Sequence, residues 1–157
     1  MNKKKIYVKE EEFDIALDGR DGHMTFYLDL ETGEIQFVSD DMEIDDEQIP
    51  NWLRAIKENP KRFYEVPPIP SSLSFDFMKS FAEDEVSGNV QEILLEALSG
   101  KRPFRRFKDA LFEFPEVEKA WYVYERVWRC WHMKRWLHVE SLNAELVFNP
   151  NLPNPDD

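Results

Sequence analysis

Three histidines, at positions 23, 132 and 138, and one cysteine, Cys130, are the residues from which metal or nucleophilic chemistry would be built. Their spacing argues against both. On a single helix His132 and His138 are turned about 240° from one another at ~100° per residue, so they face different ways. Cys130 and His138 stand roughly 12 Å apart along such a helix. A lone thiol makes neither an internal disulfide nor a cysteine-based metal site, so no oxidising compartment is required. A Cys–His pair would need His23 brought in by folding. The histidines read as ordinary side chains, and no metal or cofactor is expected.

The acidic run Asp40-Asp41-Met42-Glu43-Ile44-Asp45-Asp46-Glu47 invites comparison with a calcium loop. Such a loop alternates oxygen ligands around a central glycine and closes on a glutamate at a fixed offset. The glycine is missing, and Met42 and Ile44 alternate with the acids. The run reads as a solvated loop feeding a helix cap. Carboxylate pairs for acid–base work are assembled in space, so the 32 Asp and Glu residues by themselves discriminate nothing. No phosphate-binding glycine loop, nucleophile elbow or zinc-protease motif is present. No catalytic residue is assigned.

The informative stretch is Gly100-Lys101-Arg102-Pro103-Phe104-Arg105-Arg106-Phe107-Lys108-Asp109. Proline suits a first helical position, so a helix opens at Pro103. Measured around the helix from Phe104, Phe107 falls at about 300° and Leu111 at about 340°, a narrow apolar stripe. Arg105 falls at about 100° and Arg106 at about 200°, away from that stripe. Lys101, Arg102, Arg105, Arg106 and Lys108 thus crowd the start of one helix, where the dipole favours acids. Either these cations pair with the acidic body and with Asp109 one turn on, or they serve a partner.

The elements that would position this segment follow from periodicity. Residues 6–17 fit either a strand or a short helix; Glu10, Glu11 and Glu12 at a helix start and Gly19 beyond its end favour the helix. His23 to Leu30 reads as a strand, Glu31-Thr32-Gly33 as a turn with Gly33 at positive φ, and Glu34 to Val38 as the returning strand. Asp45 or Asp46 would cap a helix through Ile49, Trp52, Leu53 and Ile56, and Arg62 to Val66 makes a third strand. Ser71 or Ser72 would cap a helix burying Leu73, Phe77, Met78 and Phe81, and another runs from about Asn89 to Leu98. After the helix from Pro103, Pro115 opens a long helix to about Leu142, with Val117, Trp121, Tyr124, Trp128 and Trp131 on one stripe.

Composition sets the frame. The chain has 157 residues, 14% aromatic, and a net charge of −12. Residues 1–100 hold 10 Lys/Arg against 23 Asp/Glu, whereas residues 101–138 hold 10 against 5. An acidic body thus carries one basic helical region. The opening Met1-Asn2-Lys3-Lys4-Lys5-Ile6 lacks the apolar run of a secretory signal, and no stretch approaches a membrane span. A cytoplasmic location follows as an expectation.

Tyr27-Leu28-Asp29-Leu30-Glu31-Thr32-Gly33-Glu34, then Gly100-Lys101, Phe104-Arg105-Arg106-Phe107-Lys108-Asp109 and Trp121-Tyr122, resembles the bacterial uncharacterised protein family numbered 0158. Small residues are usual in that family where Arg102-Pro103 stands here. The resemblance implies a bacterial cytosolic protein and carries over no activity, ligand or catalytic residue.

The expectation is one α+β domain over residues 1–148, followed by a flexible Pro-rich tail over 149–157. A small antiparallel sheet around the 23–38 hairpin would pack against helices from the C-terminal two-thirds, ending in the aromatic-rich helix. Gly33, Phe104, Phe107, Asp109 and Trp121 take structural roles. Lys101, Arg102, Arg105, Arg106 and Lys108 form the partner-binding set of a non-catalytic binding or adaptor module. Its partner would be an acidic protein surface or structured nucleic acid, not a membrane. The alternatives are an enzyme with a carboxylate site between sheet and terminal helix, or an oligomer built on the Trp-rich helix.

Overall fold

The computed structural model describes residues 4–19, 23–39 and 51–156. The acidic run 40–47 and the helix cap expected at Asp45 or Asp46 lie outside them. The elements in chain order are β1 (Ile6–Lys9), α1 (Glu10–Leu17), β2 (Met24–Asp29), β3 (Ile35–Ser39), α2 (Asn51–Glu58), β4 (Phe63–Val66), α3 (Ser71–Asp84), α4 (Gly88–Ser99), α5 (Pro103–Phe112), α6 (Pro115–Val139) and β5 (Ala144–Val147). The fold is α+β. Its antiparallel sheet has the order β3-β2-β4, and β1 pairs with β5 in parallel. Among the described residues no helix is long and apolar enough to cross a membrane.

The chain divides into two compact units: one up to Ile69 and from Arg129 onward, the other Pro70–Trp128. The first unit holds both sheets. Residues 6–17 are strand and helix in succession, so each sequence reading holds for half of the stretch. In β1, Ile6 and Val8 are buried while Tyr7 and Lys9 are exposed, the alternation of a half-buried strand. Glu10, Glu11 and Glu12 occupy the first turn of α1, where carboxylates complement the helix dipole. Buried Glu10 accepts a hydrogen bond from the Asn149 N–H at 2.9 Å, and Lys134 pairs with Asp156 at 2.9 Å.

The hairpin is centred on Gly33, at φ 81°, with its N–H donated to the Asp29 carbonyl at 2.8 Å. A Cβ at Gly33 would lie 2.2 Å from the Tyr7 carbonyl oxygen, so side-chain sterics as well as dihedral demand glycine. The Asp29 side chain is buried and organises the turn. Arg62 donates to both of its oxygens, Nε to Oδ1 at 2.9 Å and NH2 to Oδ2 at 2.8 Å, and the Glu31 N–H donates to Oδ1 at 2.9 Å. Burial alone would push this carboxyl up. The hydrogen bonds from Arg62, the Glu31 N–H and Thr32 outweigh it and hold the acid below its ordinary value.

The second unit is built on aromatic packing. Phe77, Phe81, Phe107, Leu94, Leu98, Leu111 and Trp121 form one buried cluster. The Phe77 ring stacks on Tyr124 at 4.9 Å and on Trp128 at 4.3 Å, while Trp121 meets Phe81 and Phe107 edge-on at 5.2 and 5.0 Å. Neither Ser71 nor Ser72 caps α3: Pro70 occupies the cap position, its carbonyl accepting the Leu73 and Ser74 N–H groups at 3.1 Å each. Leu73, in the first turn, is 38% exposed and not a core residue. Helix α6 begins at Pro115 as the proline requires, and stops at Val139, three residues short of the expected Leu142, where Ser141 at φ 56° turns the chain.

Gly33→Ala should destabilise the protein by about 1–3 kcal/mol, since it adds a clash to an unfavourable φ. A neutral change in a urea titration would mean the turn is not formed this way. The lowered pKa of Asp29 gives a pH signature with a fixed sign. Its stabilising contribution is complete above the ordinary Asp value of about 3.9, and is lost as pH falls through the lowered value. Arg62→Gln should flatten that acid limb in unfolding curves measured from pH 7 to pH 2.

Candidate functional site

Helix α5 is oriented by its apolar stripe. Phe107 and Leu111 are fully buried, Phe104 partly so, and the edge-on contact of Phe107 with Trp121 pins the helix's rotation. At ~100° per residue, every other position on α5 is then determined. Arg105, Lys108, Asp109 and Phe112 share one outward face, spanning about 100° of the helix. Arg105 Nε stands 4.0 Å from Asp109 Oδ2, with the two side chains 73% and 74% exposed. A pair so exposed contributes a few tenths of a kcal/mol, about 0.3–0.5.

The helix start is unusual. Arg102 occupies the cap position at φ 53° and ψ 54°, left-handed backbone that glycine favours, and its carbonyl accepts the Arg106 N–H at 3.0 Å. For a side chain with a Cβ this conformation costs about 1–2 kcal/mol. It also departs from the extended backbone favoured before proline. Glycine fits this backbone; the arginine takes it up only at that cost. Lys101, Arg102, Arg106 and Lys108 are all exposed.

Arg106 separates from the others. It lies on the side of α5 turned toward α4, in a cleft lined by Ile93, Glu96, Ala97, Asp109, Ala110 and Glu113. A Cβ built on Gly100 would fall 1.7 Å from its NH1, so the guanidinium folds back over the end of α4. Lys101, Arg102, Arg105 and Lys108 are thus available to a partner in a way that Arg106 is not. Of the residues given structural roles, Phe107 and Trp121 are in the core, and Asp109 is a surface residue.

Sequence reasoning passes over Phe112 and Tyr122 as surface residues, and they are 77% and 59% exposed. The signal exists: measured around the helix from Phe104, Phe112 falls at about 80°, outside the buried stripe. A small cleft of ≈ 110 Å³ connects the two helices, lined by Lys108, Leu111, Glu118, Trp121, Tyr122 and Glu125.

The groups considered for chemistry do not assemble. Cys130 is buried, His132 half-buried, and His23 and His138 exposed. Burial pushes the His132 pKa down, and the neighbouring positive charges of Arg129 and Arg135 push it further. Among the described residues no three of His, Cys, Asp and Glu gather as a metal site.

The pattern of the family described as Uncharacterised protein family (UPF0158) matches residues 5–157, and the chain belongs to that family. A relative, UPF0158 protein PA5073 of Pseudomonas aeruginosa, is 31% identical over 134 residues, which cover 82% of this chain and 82% of the relative. No solved structure matches.

The geometry makes two stability predictions. Arg102→Gly should leave stability unchanged or raise it by up to about 1 kcal/mol, because strain is relieved. Replacing Arg105 and Arg106 together with Gln should cost no more than about 0.5–1 kcal/mol, as for exposed sites. A loss of about 3–5 kcal/mol would mark them as partners of buried acids.

Proposed function

We propose that the protein is a non-catalytic binding or adaptor module of the cytoplasm, engaging an anionic macromolecule through the basic start of α5. Lys101, Arg102, Arg105 and Lys108 make the primary contacts, with Arg106 flanking them. The partner is an acidic protein surface or a structured nucleic acid.

The observation that carries this reading is the placement of Arg102. An exposed arginine stands where the backbone favours glycine and where the helix dipole opposes a cation. Both costs fall on stability, and neither is offset by an ion pair to Arg102 among the described residues. Retaining a cation at such a place is intelligible if it acts on something outside the chain. The surrounding charge sharpens the effect, since a local basic face on a chain of net charge −12 selects against general attraction to polyanions.

Partners recovered from a bacterial lysate with the native protein should be lost with the double Arg105→Gln, Lys108→Gln variant. Their binding should weaken as salt rises, because exposed charges are screened within about 10 Å at 0.1 M ionic strength. A variant that keeps every partner, while remaining as stable as the native protein, would reject the basic segment as the binding surface.

A further inference from the structure

We infer that the partner is a protein rather than a nucleic acid, and that it presents a segment with acidic residues followed along its length by one apolar anchor side chain. This rests on the reading of α5 as a binding surface and specifies the chemistry of what binds.

The charge of the exposed surface changes from α5 onto α6. Lys101, Arg102, Arg105 and Lys108 come first. Phe112, 77% exposed, comes next, about 10 Å beyond Arg105 along the axis. Next to Lys108 the surface passes to α6, where Glu118 and Glu125 border the same cleft as Lys108. The surface therefore changes from cationic on α5 to acidic on α6. A nucleic acid strand carries a phosphate at every nucleotide, so a strand continued from α5 across this cleft would bring negative charge against Glu118 and Glu125. A polypeptide can be acidic at one end and apolar at the other. Charge complementarity thus favours a protein segment.

The cleft beside this face supplies the second half of the argument. Its floor is Leu111 and Trp121, its wall the exposed Tyr122, and its rim Lys108, Glu118 and Glu125. At ≈ 110 Å³ its size matches one side chain. An aliphatic or aromatic anchor seated there would cover Tyr122, in the kind of small aromatic pocket at which binding energy concentrates, and a segment continuing along α5 would pass over Phe112. Lys108 borders both parts, so the acidic end of the segment and its anchor would meet at this residue.

The inference is tested by panning a library of random 16-residue peptides against the native protein. Affinities of the enriched peptides, and of a 20-nucleotide oligothymidylate, are then measured at two salt concentrations. The expected result is enrichment of peptides with two or more acids on one side of a single Leu, Ile, Met or Phe. Phe112→Ser and Tyr122→Ser should each weaken the best peptide about tenfold without changing its salt dependence. Arg105→Gln should reduce that salt dependence. Acidic peptides with no fixed apolar position, or full affinity in both serine variants, would overturn the anchor and leave the charge reading standing. Tighter binding of the oligothymidylate than of any peptide would overturn the protein assignment. Absence of any acidic enrichment would overturn this inference, and if the oligothymidylate also fails to bind, the proposed function falls with it.

Discussion

The packing of Phe107 against Trp121 is the constraint on which the surface of α5 depends. Phe107 has no exposed area, and Trp121 is enclosed on other sides by Phe77 and Phe81. A ring so confined admits few alternative positions, because interiors are packed near crystal density. Helical geometry converts that single fixed direction into directions for every residue of α5. Arg105, Lys108 and Phe112 face water because Phe107 and Leu111 cannot. Truncating Phe107 would cost about 3–5 kcal/mol through the cavity left behind, and would also free the helix to rotate. The cationic face and the core of this unit are two consequences of one registration.

The arginines illustrate how one residue type serves two ends. Arg62 and Arg129 are internal struts: Arg62 grips Asp29 through two hydrogen bonds, and buried Arg129 joins Asp14 and Asp18 beside α1, with NH1 to Asp18 at 3.2 Å and NH2 to the Asp14 carbonyl at 2.9 Å. Each holds together parts of the chain far apart in sequence. Arg105 has only a loose, solvated neighbour at 4.0 Å, one turn away on its own helix. An internal strut explains its own presence by the order it imposes. Arg105 imposes none, and for it a role outside the chain is the economical account.

Much of the fold is readable from local chemistry. The hairpin follows from a glycine that must adopt positive φ, the starts of α5 and α6 from prolines whose missing N–H is tolerated there, and the inward stripe of α5 from spacing alone. The parallel pairing of β1 with β5 is not readable. Ile6 pairs with Ala144, and nothing in a four-residue segment names a partner so distant along the chain. The cap of α3 misleads because two serines adjoin the proline that takes the position. At the site, the identity of the cations is legible, but their separation is not. That Arg106 folds over Gly100 while Arg105 stays outward depends on the neighbouring α4. The exposed Phe112 is present in the helical wheel and is easily passed over, because aromatic residues are so often core.

The central claim is that anionic partners meet this molecule at α5 and not at its other cations. Mapping backbone amide shifts by NMR, while a glutamate-rich peptide is added to the native protein, tests it most directly. Shifts concentrated on residues 101–112 that shrink as sodium chloride is raised are the predicted result. Shifts spread evenly over other exposed lysines such as Lys5, Lys79 and Lys134, or none at α5, would contradict it.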